Sequence, residues 1–156
     1  KLAAPDSPVA AMVGDGDFLM TFQEIATAVQ YNIPVVAVVL NNVGWQAIRD
    51  LQKIAFADDA GYATMFERDD QPVTPHIANA AAAFGAHAAR ITRPDEVGPA
   101  LEQALAADRP AVVEVMVDAR FGMSGGLAPG WWDVPIPEYF KEQHAAYIQA
   151  RREERV

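Results

Sequence analysis

Hydrophobic positions along this chain fall into short unbroken runs separated by stretches with helical spacing. Residues 35–40 (VVAVVL) are apolar on both faces of a strand, the pattern of a parallel strand buried between two layers of helices. Residues 9–13 (VAAMV), bounded by Pro8 and Gly14, and residues 111–117 (AVVEVMV) predict two further strands, and residues 86–91 a weaker one. Phe22, Ile25, Ala26 and Val29 recur at helical spacing and predict a helix over 21–31, with Thr21-x-x-Glu24 as its capping box. A turn and short helix are expected over 44–56. An Ala-rich helix is expected over 76–84, ending at Gly85 as a left-handed cap. An amphipathic helix is expected over 95–107, carrying Val97, Leu101 and Leu105. Residues 58–75 lack periodicity and read as an extended surface loop. Single helical patterns between strands predict an α/β fold: a doubly wound, mainly parallel sheet flanked by helices.

The ends of the chain differ from this pattern. Lys1-Leu2-Ala3-Ala4 reads as the last turn of a helix, so the fold is expected to lack upstream structure, its first strand and helix. Residues 121–137 (FGMSGGLAPGWWDVPIP) mix glycine, proline and tryptophan, and a last helix is expected over 138–151. Glycines loosen this segment while Trp131 and Trp132 need apolar cover. A flap over a site or a partner surface fits both facts; so does a tail packed along its own domain. The expected division is a domain over 1–120 and a flap with its helix over 121–156.

Composition narrows the function classes. The 156 residues are about one domain's worth, 51% hydrophobic and 21% charged, as in ordinary globular proteins. A net charge of −9 repels phosphate backbones and argues against nucleic acid as a partner. The basic cluster Arg151, Arg152 and Arg155 is diluted by Glu153 and Glu154 and reads as a solvated tail. No apolar run approaches the ~18 residues of a membrane span, and the chain lacks cysteine, which fits a reducing, cytoplasmic setting.

Candidate chemistry sits where two predicted strands end. Gly14-Asp15-Gly16 follows the first strand, where an open α/β sheet places its ligands. Glycines there admit a bound group close to the backbone, and a following helix would point N–H groups at a phosphate. A carboxylate beside a phosphate repels it unless a divalent cation lies between them. Taken alone, Gly-Asp-Gly reads first as a tight turn after a strand. Asn41-Asn42 then closes the strand over 35–40, with Gly44 two residues on. If the two strands are parallel neighbours, Asn42 offers an amide oxygen and Gly44 a carbonyl beside Asp15, hard donors suited to Mg²⁺. Three octahedral positions remain for two phosphate oxygens and a water.

The stretch VGDGDFLMTFQEIATAVQYNIPVVAVVLNN resembles the GDG-to-NN signature of thiamine-diphosphate (ThDP) enzymes of the acetolactate synthase and pyruvate decarboxylase-like superfamily, FQEIATA standing where LQELATA is common. The resemblance covers about residues 1–117. It implies the ThDP-binding fold, with ThDP and Mg²⁺ as cofactors and Asp15, Asn42 and the Gly44 carbonyl as metal ligands. Gly14, Gly16 and Asp17 would complete the cofactor site through backbone contacts to the diphosphate. Asp17 departs from the serine or alanine common there, and its side chain is expected to turn away and cap the helix. The resemblance also implies a partner, the pyrimidine-binding domain or chain that supplies an activating glutamate, in a homo- or hetero-oligomer. Glu24 cannot take that role, so no catalytic residue is assigned to this chain.

Residues after the second motif are expected to face a small-molecule carbonyl substrate: Trp45, Gln46, Ile48 and Arg49, with Met20 and Phe22 from the first helix. Core packing is an equal reading for Trp45, and a surface ion pair is the favoured one for Arg49. His76, His87 and His144 are expected to be structural. The first function expected is a carboligase or 2-oxo-acid decarboxylase. A C–C lyase or hydrolase of the 2-hydroxyacyl-CoA lyase or cyclic 1,2-dione hydrolase kind is next, WWDVP resembling the end of the latter. A non-catalytic assembly chain is the third, against which retention of the metal set argues.

Overall fold

The computed structural model describes residues 1–56, 62–118 and 136–153. Within them the chain forms two compact units, one of residues 1–44 and 73–118, the other of residues 45–56, 62–72 and 136–153. Trp131 and Trp132, the rest of the expected flap up to residue 135, and residues 57–61 and 154–156 lie outside the described residues.

The first unit is a parallel sheet with helices on both faces. Its strands are β1 (Ala10–Gly14), β2 (Val36–Asn41), β5 (His87–Ile91) and β6 (Ala111–Met116), in the order β1-β2-β6-β5. Every pairing is parallel. Because side chains alternate along a strand, β2 and β6 feed two separate cores. On one face Val39 and Val112 pack with Phe18, Ile25, Ile77 and Ala81, from helices α1 (Asp15–Met20), α2 (Glu24–Gln30) and α4 (Ile77–Ala83). On the other, Val36 and Val113 pack with Ala100 and Ala104 of helix α5 (Val97–Ala106). This double burial is what the continuous apolar run over 35–40 predicts.

Helix α4 ends as its glycine predicts. Gly85 takes φ +95°, and the N–H groups of Gly85 and Ala86 donate to the Ala82 and Ala81 carbonyls (2.9 and 3.2 Å). That is the paired closure of a left-handed C-terminal cap. A short 3₁₀ turn (Pro94–Glu96) leads into α5.

Three local expectations change. The helix expected over 21–31 is the shorter α2, which begins only at Glu24, and a separate helix not expected there, α1, precedes it from Asp15. Asp15 and Asp17 occupy the first turn of α1, where carboxylates favour the helix dipole. No side chain caps α2; the Glu24 N–H donates to the Thr21 carbonyl (2.9 Å) instead, so the capping box is absent. Lys1–Ala4 is not helical, since successive reverse turns (Ala4 N–H to Lys1, Ser7 N–H to Ala4, both 3.2 Å) occupy the segment.

The second unit contains α3 (Gln46–Phe56), α6 (Lys141–Glu153) and an antiparallel pair of β3 (Glu67–Arg68) with β4 (Gln71–Pro72). The pair lies in the stretch expected to be a loop. Asp69 and Asp70 make its two-residue turn with positive φ (54° and 57°), a hairpin conformation that aspartate tolerates. Ile136 and Tyr147 form the buried centre of this unit with Phe56, Phe140 and Ile148 against them.

Ile77 is 1% exposed and anchors α4 to the first core. Ile77→Ala is expected to destabilise the protein by about 2–5 kcal/mol in chemical denaturation. A loss under about 1 kcal/mol would show that α4 does not hold that core together.

Candidate functional site

Parallel pairing of β1 with β2 in the register Gly14↔Leu40 ends the two strands level. Asp15 is the next residue after β1, and Asn41 closes β2. The turn from Asn41 to Gly44 then folds back toward Asp15, which is buried (2% exposed) at the start of α1.

Two N–H groups hold the Asp15 carboxylate. Gly16 donates to Oδ1 (2.9 Å) and Gly44 to Oδ2 (2.9 Å). The Gly16 N–H, expected from the resemblance to face a diphosphate, is directed at Asp15. Burial pushes the Asp15 carboxyl above its ordinary value of 3.8, against the opposing pull of the Gly44 and Gly16 N–H groups.

The turn itself is held by Asn41, a residue the motif reading did not single out. Its Oδ1 accepts the Val43 N–H (3.0 Å), an Asn turn closed two residues on. Val43 adopts φ +65°, a conformation that costs a β-branched residue about 1–3 kcal/mol and persists only where its surroundings enforce it.

Asn42 completes the group. One terminal atom of its amide stands 2.8 Å from the Gly44 carbonyl oxygen and 3.1 Å from Asp15 Oδ1. As nitrogen, that atom donates to both oxygens. As oxygen, it makes three oxygens converge, an arrangement that needs a cation to offset their repulsion. Neighbouring ligands in an octahedron with 2.0–2.1 Å bonds stand about 2.9 Å apart, so the observed spacings suit Mg²⁺. Among the described residues no three His, Cys, Asp or Glu side chains converge. With the Asn42 oxygen inward, the group would instead offer one carboxylate with two neutral oxygens, a hard set with no preference for zinc.

A family model described as "Thiamine pyrophosphate enzyme, C-terminal TPP binding domain" matches residues 1–115. The chain belongs to this family. The TPP-binding domain is 30% identical over 156 residues to 3D-(3,5/4)-trihydroxycyclohexane-1,2-dione hydrolase of Bacillus subtilis strain 168, which covers 100% of this chain and 24% of the relative. It is 31% identical over 130 residues to acetolactate synthase isozyme 2 large subunit of Escherichia coli strain K12, covering 83% of this chain and 23% of that one. Among solved structures, thiamine diphosphate-dependent 4-hydroxybenzoylformate decarboxylase of Rhodococcus jostii RHA1 matches with a TM-score of 0.63 at 29% identity, over 75% of this chain and 21% of that one. The chain therefore spans about a quarter of the length of the curated relatives it matches.

The remaining candidates in the TPP-binding domain are scattered. Asp17 is exposed in the first turn of α1 and makes no cap bond; its Oδ2 lies over Gly14, 3.4 Å from where a β-carbon there would stand. Met20 is exposed at the end of α1. Phe22 packs edge-on between Phe18 and Phe84 (centroids 5.9 and 4.9 Å), which makes it core. Trp45, Gln46, Ile48 and Arg49 belong to the second unit. There the Trp45 N–H donates to the Thr64 carbonyl (2.6 Å), Gln46 Nε2 donates to Asp50 (2.9 Å), and Ile48 is exposed. His76 accepts from Arg90 (2.6 Å) and His144 contacts the Ile136 carbonyl (2.7 Å).

A carboxyl raised by burial holds more protons folded than unfolded between its two values, so its contribution to stability falls as pH rises through that interval. With EDTA present, the melting temperature of wild type minus that of Asp15→Asn is therefore expected to decline as pH rises from 3.8. A pH-independent difference would mean that the Asp15 carboxylate is not desolvated.

Proposed function

We propose that this domain anchors the diphosphate of ThDP through Mg²⁺, held by Asp15, Asn42 and the Gly44 carbonyl. The observation that carries the reading is the spacing of the Asn42 amide to Asp15 and Gly44, 3.1 and 2.8 Å, at the ends of two paired strands. One carboxylate against a divalent ion leaves a net positive charge, which suits a diphosphate better than a neutralised site would. Asn42 and Gly44 add oxygens without adding charge. Gly14 carries no side chain beside the site, and the residue nearest it there is Asp17, exposed on α1.

When bound, ThDP supplies a nucleophilic carbon and a sink for the negative charge that develops beside a carbonyl. We read the whole protein as a ThDP- and Mg²⁺-dependent enzyme acting on C–C bonds next to a carbonyl, a carboligase or 2-oxo-acid decarboxylase. The relative named acetolactate synthase and the solved 4-hydroxybenzoylformate decarboxylase support that class. Hydrolysis of a cyclic 1,2-dione is the second reading, favoured by one observation: the relative of that name aligns over 100% of this chain, beyond the residues the family model matches. In either case the activating glutamate and the pocket for the pyrimidine ring come from a partner domain or chain in an oligomer, and Met20, Trp45, Gln46 and Ile48 are the candidates for substrate contact. Assaying the full-length protein for carbon dioxide release from 2-oxo acids, and for ring opening of a cyclic 1,2-dione, separates the readings.

Calorimetry on the full-length protein is expected to show ThDP binding with Mg²⁺ and none with EDTA. Asp15→Ala is expected to weaken cofactor binding by about 100-fold, about 2.7 kcal/mol. Tight ThDP binding that EDTA leaves unchanged would remove the metal assignment.

A further inference from the structure

Glu114 sits in the middle of β6, on the sheet face that α4 covers, and is 0% exposed. A carboxyl group buried this completely needs donors for both oxygens. Oε1 accepts from Asn41 Nδ2 (2.7 Å) and Oε2 from the backbone N–H of Ala78 (3.0 Å). Among the described residues it has no ion-pair partner.

The polarity of this small network is fixed at every link. Glu114 serves as a double acceptor, so Asn41 must present its amide nitrogen to it. The second hydrogen of that nitrogen goes to Thr74 Oγ1 (2.8 Å), whose own hydroxyl donates to the Pro75 carbonyl (3.2 Å). The amide oxygen of Asn41 is thereby left pointing at the Val43 N–H (3.0 Å). Had the amide turned the other way, its nitrogen would face that N–H, donor against donor, and the turn that holds Val43 at φ +65° would lose its closing bond. Asn42 and Gly44, on either side of Val43, would lose their placement beside Asp15.

We infer that Glu114 is a positioning residue for the cation site. It orients the Asn41 amide, and through it the strained turn that presents Asn42 and Gly44 to Asp15. This rests on the reading of Asp15, Asn42 and Gly44 as cation ligands. Glu114 touches neither the cation nor the cofactor, and α4 contributes through Ala78 as the support on its far side.

An exchange of acceptors and donors tests the role. Glu114→Gln replaces one acceptor by a donor, so the introduced amide and Asn41 cannot both be satisfied with Asn41 still bonded to Val43. Asn41→Asp alone sets two carboxylates face to face. In the double variant each group is again satisfied: the glutamine accepts from Ala78 and donates to the aspartate, which still accepts from Val43 and takes the Thr74 hydroxyl in place of the Pro75 carbonyl. The readout is Mn²⁺ affinity of the full-length protein in the presence of ThDP, titrated by electron paramagnetic resonance, beside the melting temperature with EDTA. Each single variant is expected to weaken Mn²⁺ binding at least tenfold, and the double variant to return within threefold of wild type. A residue that merely glued α4 to the sheet would lower melting temperature and leave Mn²⁺ affinity alone.

Unchanged Mn²⁺ affinity in Glu114→Gln, or a double variant no better than the singles, overturns the positioning role. If Glu114→Gln does not fold, the double variant decides: binding within threefold of wild type supports the role, and a tenfold loss overturns it. A wild-type protein that binds no Mn²⁺ removes the cation site itself and this role with it, an outcome distinct from the others because it appears before any substitution.

Discussion

A hydrogen bond from the Gly44 N–H to the Asp15 carboxylate joins two strand ends that lie 29 positions apart in sequence. It forms because β1 and β2 pair in parallel with Gly14 level with Leu40. Parallel strands need a crossover, so the residues that end each strand are brought to one edge by the fold and not by local sequence. The carboxylate is buried by this arrangement and pushed toward its protonated form, while the same bond keeps the Gly44 carbonyl and the Asn42 amide close by. With the Asn42 oxygen turned inward, the site would gather neutral oxygens around a desolvated carboxylate and be poorly balanced by the protein alone. In the proposed reading a divalent cation would correct that balance, and a diphosphate would use the positive charge left over.

Behind this group stands a second layer that carries no charge to the ligand. Val43 is held at a positive φ by Asn41, and Asn41 is oriented by Glu114 in the central strand β6. A buried hydrogen-bond network of this kind is costly when half satisfied and rigid when complete. Here each donor meets an acceptor, and the rigidity is spent on a turn that would otherwise relax. The sheet thus supplies the strand ends, and its middle supplies the brace that keeps them in place.

Much of the fold could be read from the chain. The continuous apolar run over 35–40 announced a strand buried on both faces, Gly85 announced the end of α4, and the Gly-Asp-Gly and Asn-Asn pairs lay at the predicted strand ends. Asp15, Asn42 and Gly44 were legible because their spacing is tied to the strand-helix-strand unit. Asn41 was named only as the residue before a ligand, since its role depends on β6, a strand some 70 positions further on. Glu114 left a trace that went unused: a charged residue inside AVVEVMV, whose neighbours are buried on both faces, has nowhere to reach solvent. Helix α1 was missed as a separate element because its six residues are too few for a periodic pattern, and the 67–72 hairpin because its strands are two residues each.

The central proposal is that Asp15, Asn42 and Gly44 together hold a divalent cation for a diphosphate. Crystals of the full-length protein grown with Mn²⁺ and ThDP would test it most directly, through the anomalous signal of the metal. The account predicts a single peak at the end of β1 and β2, within bonding distance of the Asp15 carboxylate, the Asn42 amide oxygen and the Gly44 carbonyl, with diphosphate oxygens on its open side. A cofactor bound with its metal ligated by other residues, or with the Asn42 nitrogen facing Asp15 and Gly44, would contradict it.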